Sequence, residues 1–302
     1  MLAIRWAEHR RCSVQGLYAA AMPELPEVET VRRGLAPAME GRRILRTEMR
    51  RADLRFPFPE NFVARVSGQK VNALGRRAKY LTAALSAGET LIMHLGMTGR
   101  FTVADRRLGE FVHETGADPK HDHLAFDMEG GGRITFNDPR RFGFVELWPT
   151  AELDAYPAFA DMGPEPNSNR FSGAYLGSAF RGRKSPVKAA LMDQGVVAGL
   201  GNIYVAEALF RAGVNPRRVA GSISAARLER LAAAVREVIT EAIDAGGSSI
   251  SDFAGAGGER GAFQHRFRVY DREGEACPTC AKPVKRLVQS GRSSFYCGNC
   301  QR

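Results

Sequence analysis

Residues 22–30 have the sequence Met-Pro-Glu-Leu-Pro-Glu-Val-Glu-Thr, and the organisation of the chain depends on how this stretch begins. Proline has no amide hydrogen, so Pro26 suits a first helical position, and the carboxylates of Glu27 and Glu29 suit the positive end of a helix dipole. Apolar residues then recur at helical spacing: Val28, Val31, Leu35 and Met39. The pattern predicts a helix over residues 28–39 that opens at Pro26 and stops at Gly41.

The same stretch also has the form of a chain start, because Met22 is followed directly by Pro23. An amino-terminal proline is a secondary amine, and α-amino groups have a pKa of about 7.7–8.0, so part of the population is nucleophilic near neutral pH. Such an amine attacks an aldehyde carbon to give an iminium cation, which makes elimination easy. Glu24 would then lie within reach as a general acid or base. A plain helix start and a reactive terminus both remain open on these residues alone.

Composition limits the class of protein. The chain has 302 residues, of which 44% are hydrophobic, so two or three domains with substantial cores are expected. The net charge is +10 and the pI about 9.7, which favours a polyanionic partner such as nucleic acid, although a GC-rich genome also enriches arginine. No apolar run reaches the roughly 18 residues of a membrane span.

Short β-like runs separated by Gly, Pro, Asn and Asp follow the first helix. The predicted strands are Ile44–Met49, Phe62–Val71, Tyr80–Leu85, Thr90–Leu95, Arg100–Val103, His123–Met128, Arg133–Phe136 and Phe142–Trp148. Many short strands with frequent turns predict an antiparallel sandwich or barrel. We place this amino-terminal domain at residues 22–152.

The pattern changes to helical spacing beyond residue 150. The predicted helices are Pro186–Asp193, Ile203–Ala212 and Ser224–Ala245, the last capped by Ser224 and closed by Gly246-Gly247. We therefore expect an all-α domain over residues 153–258, a glycine-rich loop at Gly255–Gly261 and a small β-rich module over residues 264–302.

Four of the five cysteines lie in the last 26 residues. Cys277, Cys280, Cys297 and Cys300 have the spacing C-x2-C-x16-C-x2-C, which places four thiolates around one Zn²⁺. Four protein ligands leave no open position, so the predicted zinc is structural. This clustering differs from a secreted disulfide framework and indicates a reducing compartment.

Three further motifs have two interpretations each. Gly199-Leu-Gly-Asn202 precedes a predicted helix, where free amides bind phosphate or simply make a helix–turn–helix connection. Lys79 at a strand start either contacts phosphate and carries protons or protects an exposed sheet edge. Asn137-Asp-Pro-Arg-Arg-Phe-Gly143 places Phe142 beside arginine, as in a wedge that enters a base stack, or in a loop that folds back onto the core.

The order of the motifs along the chain is far more specific than any one of them. The order is Met22–Thr30, Gly75–Tyr80, His94–Gly99, Lys120–His123, Asn137–Gly143, Leu191–Gln194, Gly199–Tyr204 and the four-cysteine module. This order closely resembles the bacterial formamidopyrimidine-DNA glycosylases, which excise 8-oxoguanine, over residues 22–302. The sister endonuclease VIII family, which typically begins Pro-Glu-Gly-Pro, is less similar.

The resemblance implies a multidomain α+β fold. Its parts are an amino-terminal helix on a two-layer antiparallel β-sandwich, a helix–two-turn–helix domain and a four-cysteine zinc finger, with DNA in the cleft between the lobes. It also implies one structural Zn²⁺ per chain, no redox cofactor and no membrane. The expected partner is double-stranded DNA that contains an oxidised purine or an abasic site, bound by a monomer.

The resemblance further implies the roles of five residues in a bifunctional glycosylase and abasic-site lyase of base excision repair. Pro23 attacks C1′ of the damaged nucleotide and forms a Schiff base. Glu24 is the proton donor that opens the sugar, and Glu27 supports it. Lys79 contacts phosphate and assists β-elimination. Arg292 holds phosphate and assists δ-elimination.

Eight further positions match DNA-binding residues of the family. Met97, Arg140 and Phe142 would fill the hole left by the everted base, with Arg140 facing the orphaned cytosine. The remaining matches are phosphate contacts at His94, Asn202 and Tyr270 and additional DNA contacts at His121 and Lys184.

Residues 1–21 are where the chain departs from the family. This leader is rich in arginine and poor in acids, as in an organelle transit peptide, but an upstream start codon assigned in error is the interpretation we favour. If Pro23 stays in a peptide bond its nitrogen is an amide and forms no Schiff base, so we expect the mature bacterial protein to begin at Pro23 and to act in the cytoplasm on nucleoid DNA. An uncut chain would instead be a non-catalytic damaged-DNA-binding protein. A generic zinc-ribbon nucleic-acid module is the third alternative.

Overall fold

A computed structural model describes residues 22–104, 118–248 and 261–302. The chain divides into two compact units. The sandwich unit comprises residues 22–153 and 237–266, and the helical–finger unit comprises residues 154–236 and 267–302. The predicted boundaries at residues 152, 258 and 264 remain predictions.

Helix α1, Leu25–Met39, opens the sandwich unit and begins one residue before the predicted Pro26. Glu24 is the N-cap, and its backbone amide donates to Oε2 of Glu27 at 2.9 Å, which satisfies one of the amides that a helix start leaves free. The apolar residues at helical spacing are all buried, so the predicted face is the one that packs on the sheets.

Two four-stranded antiparallel sheets form the sandwich. The first has the order β1-β6-β7-β5, with β1 at Ile44–Met49, β5 at Arg100–Ala104, β6 at Asp122–Met128 and β7 at Arg133–Asn137. The second has the order β2-β3-β4-β8, with β2 at Val71–Arg77, β3 at Tyr80–Leu85, β4 at Glu89–His94 and β8 at Phe144–Pro149. Alternate residues of β3 are buried, as expected for a strand with one face on a core. Buried side chains of α1 and both sheets form one hydrophobic cluster.

The predicted strand Phe62–Val71 is wrong. Its first half is the short helix α2, Phe62–Val66, and β2 begins only at Val71. Phe62 and Val66 are four residues apart and both buried, which is the spacing of one helical face rather than of a strand. Asn61 adopts a left-handed conformation with φ of 52° and turns the chain into this helix. The β-branched and aromatic composition of the segment had favoured a strand.

Five helices are described after the sandwich: α3 at Pro157–Ala160, α4 at Gly173–Phe180, α5 at Val187–Met192, α6 at Asn202–Arg211 and α7 at Ala225–Asp244. Three of these match the predicted helices, whereas α3 and α4 were not predicted. The side chain of Ser172 caps α4 by accepting from the Tyr175 amide at 3.1 Å. Short 3-10 turns lie at Pro119–His121, Thr150–Ala155, Ala220–Ser222 and Phe263–Arg266. None of the described helices is long and apolar enough to cross a membrane.

The last module is an antiparallel hairpin of β9, Lys285–Gln289, and β10, Arg292–Tyr296. Its two turn residues, Ser290 and Gly291, have φ values of 49° and 73°, as a tight hairpin with the twist of its strands requires. The hairpin packs on α6 through a cluster of buried residues: Ala206, Phe210, Val269, Cys277, Val284, Phe295 and Cys297.

Candidate active site and metal centre

The start of α1 is buried. Pro23 and Glu24 both lie inside the sandwich unit, and only 3% of Glu24 is exposed. Glu24 occupies the N-cap position of α1, so its carboxyl lies at the first turn of the helix. The two residues predicted to act on the sugar are thus adjacent, buried and fixed to the first turn of one helix.

Glu27 connects this helix start to a distant part of the chain. Its Oε1 accepts from the amide of Ser248 at 2.8 Å and from the Ser248 hydroxyl at 2.9 Å, while Oε2 accepts from the Glu24 amide. Gly247 approaches so closely that a Cβ there would lie 3.0 Å from Oε1, and its φ of +80° also favours glycine. Three donors therefore fix the Glu27 carboxylate beneath Glu24. Most of the predicted loop Gly255–Gly261 lies outside the described residues.

Lys79 follows a left-handed residue, Ala78 with φ of 52°, in the turn between β2 and β3, and the lysine is buried. His94 ends β4, and its ring stacks on Phe144 with centroids 5.2 Å apart. Burial, then the charges of Lys79 and Arg55, lower the pKa of His94 to about 3. The imidazole is therefore neutral at physiological pH.

The hydrogen bonds of His94 fix which nitrogen carries its proton. Nδ1 accepts from the Gly96 amide at 3.0 Å, so the proton is assigned to Nε2. A neutral imidazole with a free N–H donates to an anionic oxygen without adding positive charge to the site.

The three predicted wedge residues lie on two loops of the sandwich unit, residues 95–99 and 138–143. Met97 and Phe142 are half-buried, and Arg140 is exposed. The Arg140 guanidinium lies 4.7 Å from the centre of the Phe142 ring. Phe142 is thus neither folded into the core nor fully exposed. His121, in the 3-10 turn Pro119–His121, packs edge-on against His123 with ring centroids 6.3 Å apart.

Asn202 begins helix α6 in the helical–finger unit, directly after the N-cap Gly201. Gln194 shapes the preceding turn, because its side chain accepts from the Gly199 amide at 2.8 Å and donates to the Leu200 carbonyl at 2.9 Å. The side-chain oxygen of Asn202 is buried without a hydrogen-bond partner among the described residues. This oxygen is an acceptor and pairs only with a donor, so the group of Asn202 that can donate to a phosphate is its side-chain NH₂.

Tyr270, Lys184 and Arg292 lie in the same unit. Tyr270 packs edge-on against Phe295, with ring centroids 5.2 Å apart. Lys184 is exposed just before α5. Arg292 is the first residue of β10, directly after the hairpin turn, and it is exposed. An exposed arginine at a hairpin tip has the reach that phosphate recognition requires.

Two buried charged residues that hold this region were missed by sequence reasoning. Nζ of Lys188, which is 2% exposed, donates to the Ser293 carbonyl at 2.8 Å and to the Ser294 hydroxyl at 2.6 Å, beside Arg292. Lys188 is a single charge in the largely apolar helix α5, which is the signal that could have identified it.

Glu207 is the second. Its carboxylate accepts from three consecutive amides, Arg268, Val269 and Tyr270, at 2.9, 3.0 and 2.8 Å. Burial raises the pKa of the Glu207 carboxyl, and these amides oppose the shift. It fixes the backbone of Tyr270 to helix α6. A single acid within the buried run Ile203–Phe210 was the available signal.

The four predicted zinc ligands converge. The sulfurs of Cys277, Cys280, Cys297 and Cys300 all lie within 4.8 Å of one another, and the Cys277–Cys300 and Cys280–Cys297 pairs are 3.9 and 3.5 Å apart. Thiolates about 2.3 Å from a tetrahedral zinc are about 3.8 Å from each other. The donor set therefore fits one structural Zn²⁺, as predicted. Cys12 lies outside the described residues.

Three family models match the chain. The amino-terminal domain of formamidopyrimidine-DNA glycosylase matches residues 22–145, its helix–two-turn–helix domain matches residues 162–254, and a zinc finger found in this glycosylase and in isoleucyl-tRNA synthetase matches residues 274–302.

Relatives and solved structures agree with these matches. The formamidopyrimidine-DNA glycosylase of Ruegeria pomeroyi is 60% identical over 93% of this chain and 100% of its own length, and that of a second Ruegeria species is 57% identical over the same shares. The crystal structure of the Thermus thermophilus enzyme is 38% identical with a TM-score of 0.79, over 92% of this chain and 98% of that one. A mutant of the Lactococcus lactis enzyme, in complex with DNA that contains Fapy-dG, is 31% identical with a TM-score of 0.82, over 93% of this chain and 100% of that one.

The fold and the zinc centre first define a class: the protein is a zinc-finger DNA glycosylase, an enzyme of base excision repair. Within that class, the chain belongs to the formamidopyrimidine-DNA glycosylase family. The predicted family, the α+β multidomain fold class and the structural zinc are confirmed.

Proposed function

We propose that this glycosylase excises oxidised purines, 8-oxoguanine and formamidopyrimidines, from duplex DNA and then cleaves the strand by β,δ-elimination. The observation that carries the proposal is the buried pair Pro23 and Glu24 at the start of α1, where the Glu24 amide donates to the carboxylate of Glu27. Relatives that bear the glycosylase name align along their whole length. A Lactococcus lactis structure bound to DNA with an abasic site, 31% identical, adds support for the second step.

Each step of the proposed reaction is a transfer between a named group and the sugar. The amine of Pro23 forms a bond to C1′ as the bond from C1′ to the base breaks, and the departing base takes up a proton. As the base departs, Glu24 donates a proton to the ring oxygen, so the sugar opens and an iminium cation forms at C1′. This cation acidifies the protons on C2′.

Strand cleavage follows from the same cation. Loss of a C2′ proton expels the 3′ phosphate, and a second elimination expels the 5′ phosphate. Lys79 binds a phosphate and assists the first elimination, and Arg292 does so for the second, because each places a cation beside a leaving oxyanion. Water then hydrolyses the imine and releases the amine of Pro23.

The proposed DNA contacts differ in charge. His94 acts as a neutral donor through Nε2, because burial and nearby cations lower its pKa to about 3. Asn202, at the start of α6, contributes its side-chain NH₂ as a donor to phosphate. Tyr270, His121 and Lys184 contact the strand outside the reacting nucleotide. Eversion of the base costs a few kcal/mol, part of which Met97, Arg140 and Phe142 offset by filling the gap.

We also propose that the competent enzyme begins at Pro23, acts as a monomer and works on nucleoid DNA in the bacterial cytoplasm. The amino-terminal family model begins its match at residue 22, which supports the first point. A proline nitrogen inside a peptide bond has no lone pair available for attack. Retention of the leader would leave a protein that binds damaged DNA without cleaving it.

A nicking assay tests the proposal. Protein that begins at Pro23 is incubated with duplex that contains 8-oxoguanine opposite cytosine, and the products are separated on a denaturing gel. We expect excision and a product that lacks the sugar, with phosphate on both flanking ends. Pro23→Gly, which leaves a primary amine, should lose most excision. Binding of the lesion without any nicking by the Pro23-initiated protein would refute the proposal and favour the non-catalytic alternative.

A further inference from the structure

The two loops that carry the proposed wedge residues are in direct backbone contact. Residues 95–99 connect β4 to β5, and residues 138–143 connect β7 to β8. At Gly96, with φ of +65°, a Cβ would lie 2.3 Å from the carbonyl carbon of Phe142. The loop that carries Met97 and the loop that carries Arg140 and Phe142 therefore touch where no side chain fits between them.

One buried carboxylate links these loops. Asp138 is fully buried, and its Oδ1 accepts from the hydroxyl of Thr98 at 2.5 Å, while Oδ2 accepts from the amide of Gly143 at 2.8 Å. The backbone of Asp138 is fixed as well, because its carbonyl pairs with Nε2 of His123 at 2.9 Å. A carboxylate fixed on both sides in this way bridges the first loop and both ends of the second.

The Thr98 hydroxyl makes a second contact that completes the link. Its oxygen donates to Asp138 and accepts from the backbone amide of Arg140 at 3.3 Å. Thr98 follows Met97 directly. The hydroxyl thus fixes the backbone of Arg140 relative to Thr98, the neighbour of Met97. Thr98 and Asp138, on the two loops, lie 40 residues apart in the sequence.

We propose that Thr98 and Asp138 are positioning residues that make Met97, Arg140 and Phe142 a single preformed wedge. The inference rests on the proposed function, since it assumes that these three side chains enter the base stack. Insertion of side chains whose backbones are already held in place loses less conformational entropy than insertion of side chains on mobile loops. Loss of the Thr98 hydroxyl should therefore slow eversion of the damaged base without altering the amine chemistry at Pro23.

Thr98→Val tests this coupling, because valine keeps the shape of threonine and lacks the hydroxyl. Thr98→Ser is the conservative variant, which keeps the hydroxyl and loses the methyl group. Thr102→Val, at a half-buried position in β5, is the matched control for the same chemical change elsewhere in the unit. Melting temperature is measured for each variant.

Three readouts separate positioning from general damage. The first is single-turnover excision of 8-oxoguanine from duplex. The second is cleavage of an abasic site in single-stranded DNA, where there is no stack to enter. The third is the fluorescence of 2-aminopurine placed opposite a tetrahydrofuran abasic analogue in a duplex, which rises when the wedge displaces it and needs no catalysis.

We expect Thr98→Val to slow duplex excision by about 10- to 100-fold and to reduce the fluorescence rise, with single-strand cleavage within about 2-fold of the parent. Thr98→Ser should stay within about 3-fold of the parent in all three readouts, and Thr102→Val should match the parent. Equal loss in duplex and single-strand cleavage, unchanged duplex excision by Thr98→Val, or a Thr98→Ser defect as large as that of Thr98→Val would each overturn the coupling. If the parent protein itself fails to cleave, the proposed function fails, and the fluorescence readout still decides the coupling.

Discussion

The start of α1 and the tip of the β9–β10 hairpin present their proposed catalytic groups in opposite ways. Pro23 and Glu24 are buried, and the backbone amide of Glu24 donates to the carboxylate of Glu27. Arg292 is exposed, and the next two residues of its strand, Ser293 and Ser294, accept hydrogen bonds from the buried ammonium of Lys188. Exclusion of water favours attack of an amine on a sugar carbon, whereas binding of a leaving phosphate requires a side chain that extends to the phosphate.

The two regions are also stabilised by different kinds of contact. The helix start relies on hydrogen bonds to one side chain, and the hairpin adds a four-thiolate metal centre to its contacts with α5 and α6. A small module with few buried residues gains most of its stability from such a centre. Each region can therefore be weakened separately.

The largest effect is expected at the buried helix start. Glu24→Gln keeps the shape of the side chain and removes its proton donor, so base excision should fall by about 10³-fold or more, at the upper end for loss of an acid–base group. Cleavage of a preformed abasic site should fall much less, because its sugar already opens in solution. Gel assays on the two substrates give the ratio, and equal loss on both would remove Glu24 from the ring-opening step.

A smaller effect, confined to the second elimination, is expected at the hairpin. Lys188→Met leaves the Ser293 and Ser294 acceptors without their donor and loosens the strand that carries Arg292. We expect the ratio of δ- to β-elimination product to fall about 10-fold, with base excision within about 3-fold of the parent. Lys282→Met, which removes an exposed lysine of the same module, is the matched control. An unchanged product ratio would show that the tip needs no support from α5.

These regions differ in how much of them the sequence predicts. The four cysteines occur as two local pairs, so their spacing alone predicted the zinc centre. The helical period of Val28 to Met39 likewise predicted α1, and composition and turns predicted most strands. Local pattern failed at Phe62–Val66, where helix and strand spacing are hard to distinguish, and at α4, whose run Gly-Ala-Tyr-Leu-Gly has two residues with weak helix propensity.

The contacts that support the two proposed catalytic regions could not be predicted from the sequence, for a different reason. Lys188 bonds to Ser293, 105 residues away, and Glu27 bonds to Ser248, 221 residues away. No local period encodes such pairs, because they form only when the fold brings the segments together. The order of the motifs gave the candidate residues Pro23, Lys79 and Arg292. The contacts that fix the neighbours of Pro23 and Arg292 are visible only in the structure.

The buried His94 predicts how the stability of the fold depends on pH. Its pKa falls from 6.5 in the unfolded chain to about 3 in the folded protein. Between these values the unfolded chain binds a proton that the native state does not, so stability falls as pH decreases, by up to about 1.4 kcal/mol per pH unit from this residue. Above pH 6.5 the contribution is constant.

Urea unfolding at pH 7.5 and 5.5 measures the effect. Glutamine at position 94 does not titrate in this range, so the loss of stability of His94→Gln between the two pH values should be smaller than that of the parent. An identical loss would show that His94 is protonated as readily in the folded state as in the unfolded one.

The smallest effect is expected from one hydroxyl behind the helix start. Ser248→Ala removes the 2.9 Å bond to Glu27 and leaves the bond from the Ser248 amide in place. Unfolding free energy should fall by about 0.5–1.5 kcal/mol, and excision should change less than it does in Glu27→Gln. Thermal unfolding and single-turnover excision measure the two quantities. A larger catalytic loss in Ser248→Ala than in Glu27→Gln would contradict the assigned role of the carboxylate.

The central claim is that the amine of Pro23 forms the covalent intermediate. Protein that begins at Pro23 is trapped with borohydride on 8-oxoguanine duplex, digested, and the DNA-linked peptide is sequenced by mass spectrometry. We predict a peptide that begins at Pro23 and carries the sugar on the proline nitrogen, with no trapping by a chain that retains residue 22. Attachment at Lys79 or another lysine, or equal trapping by the longer chain, would contradict the mechanism.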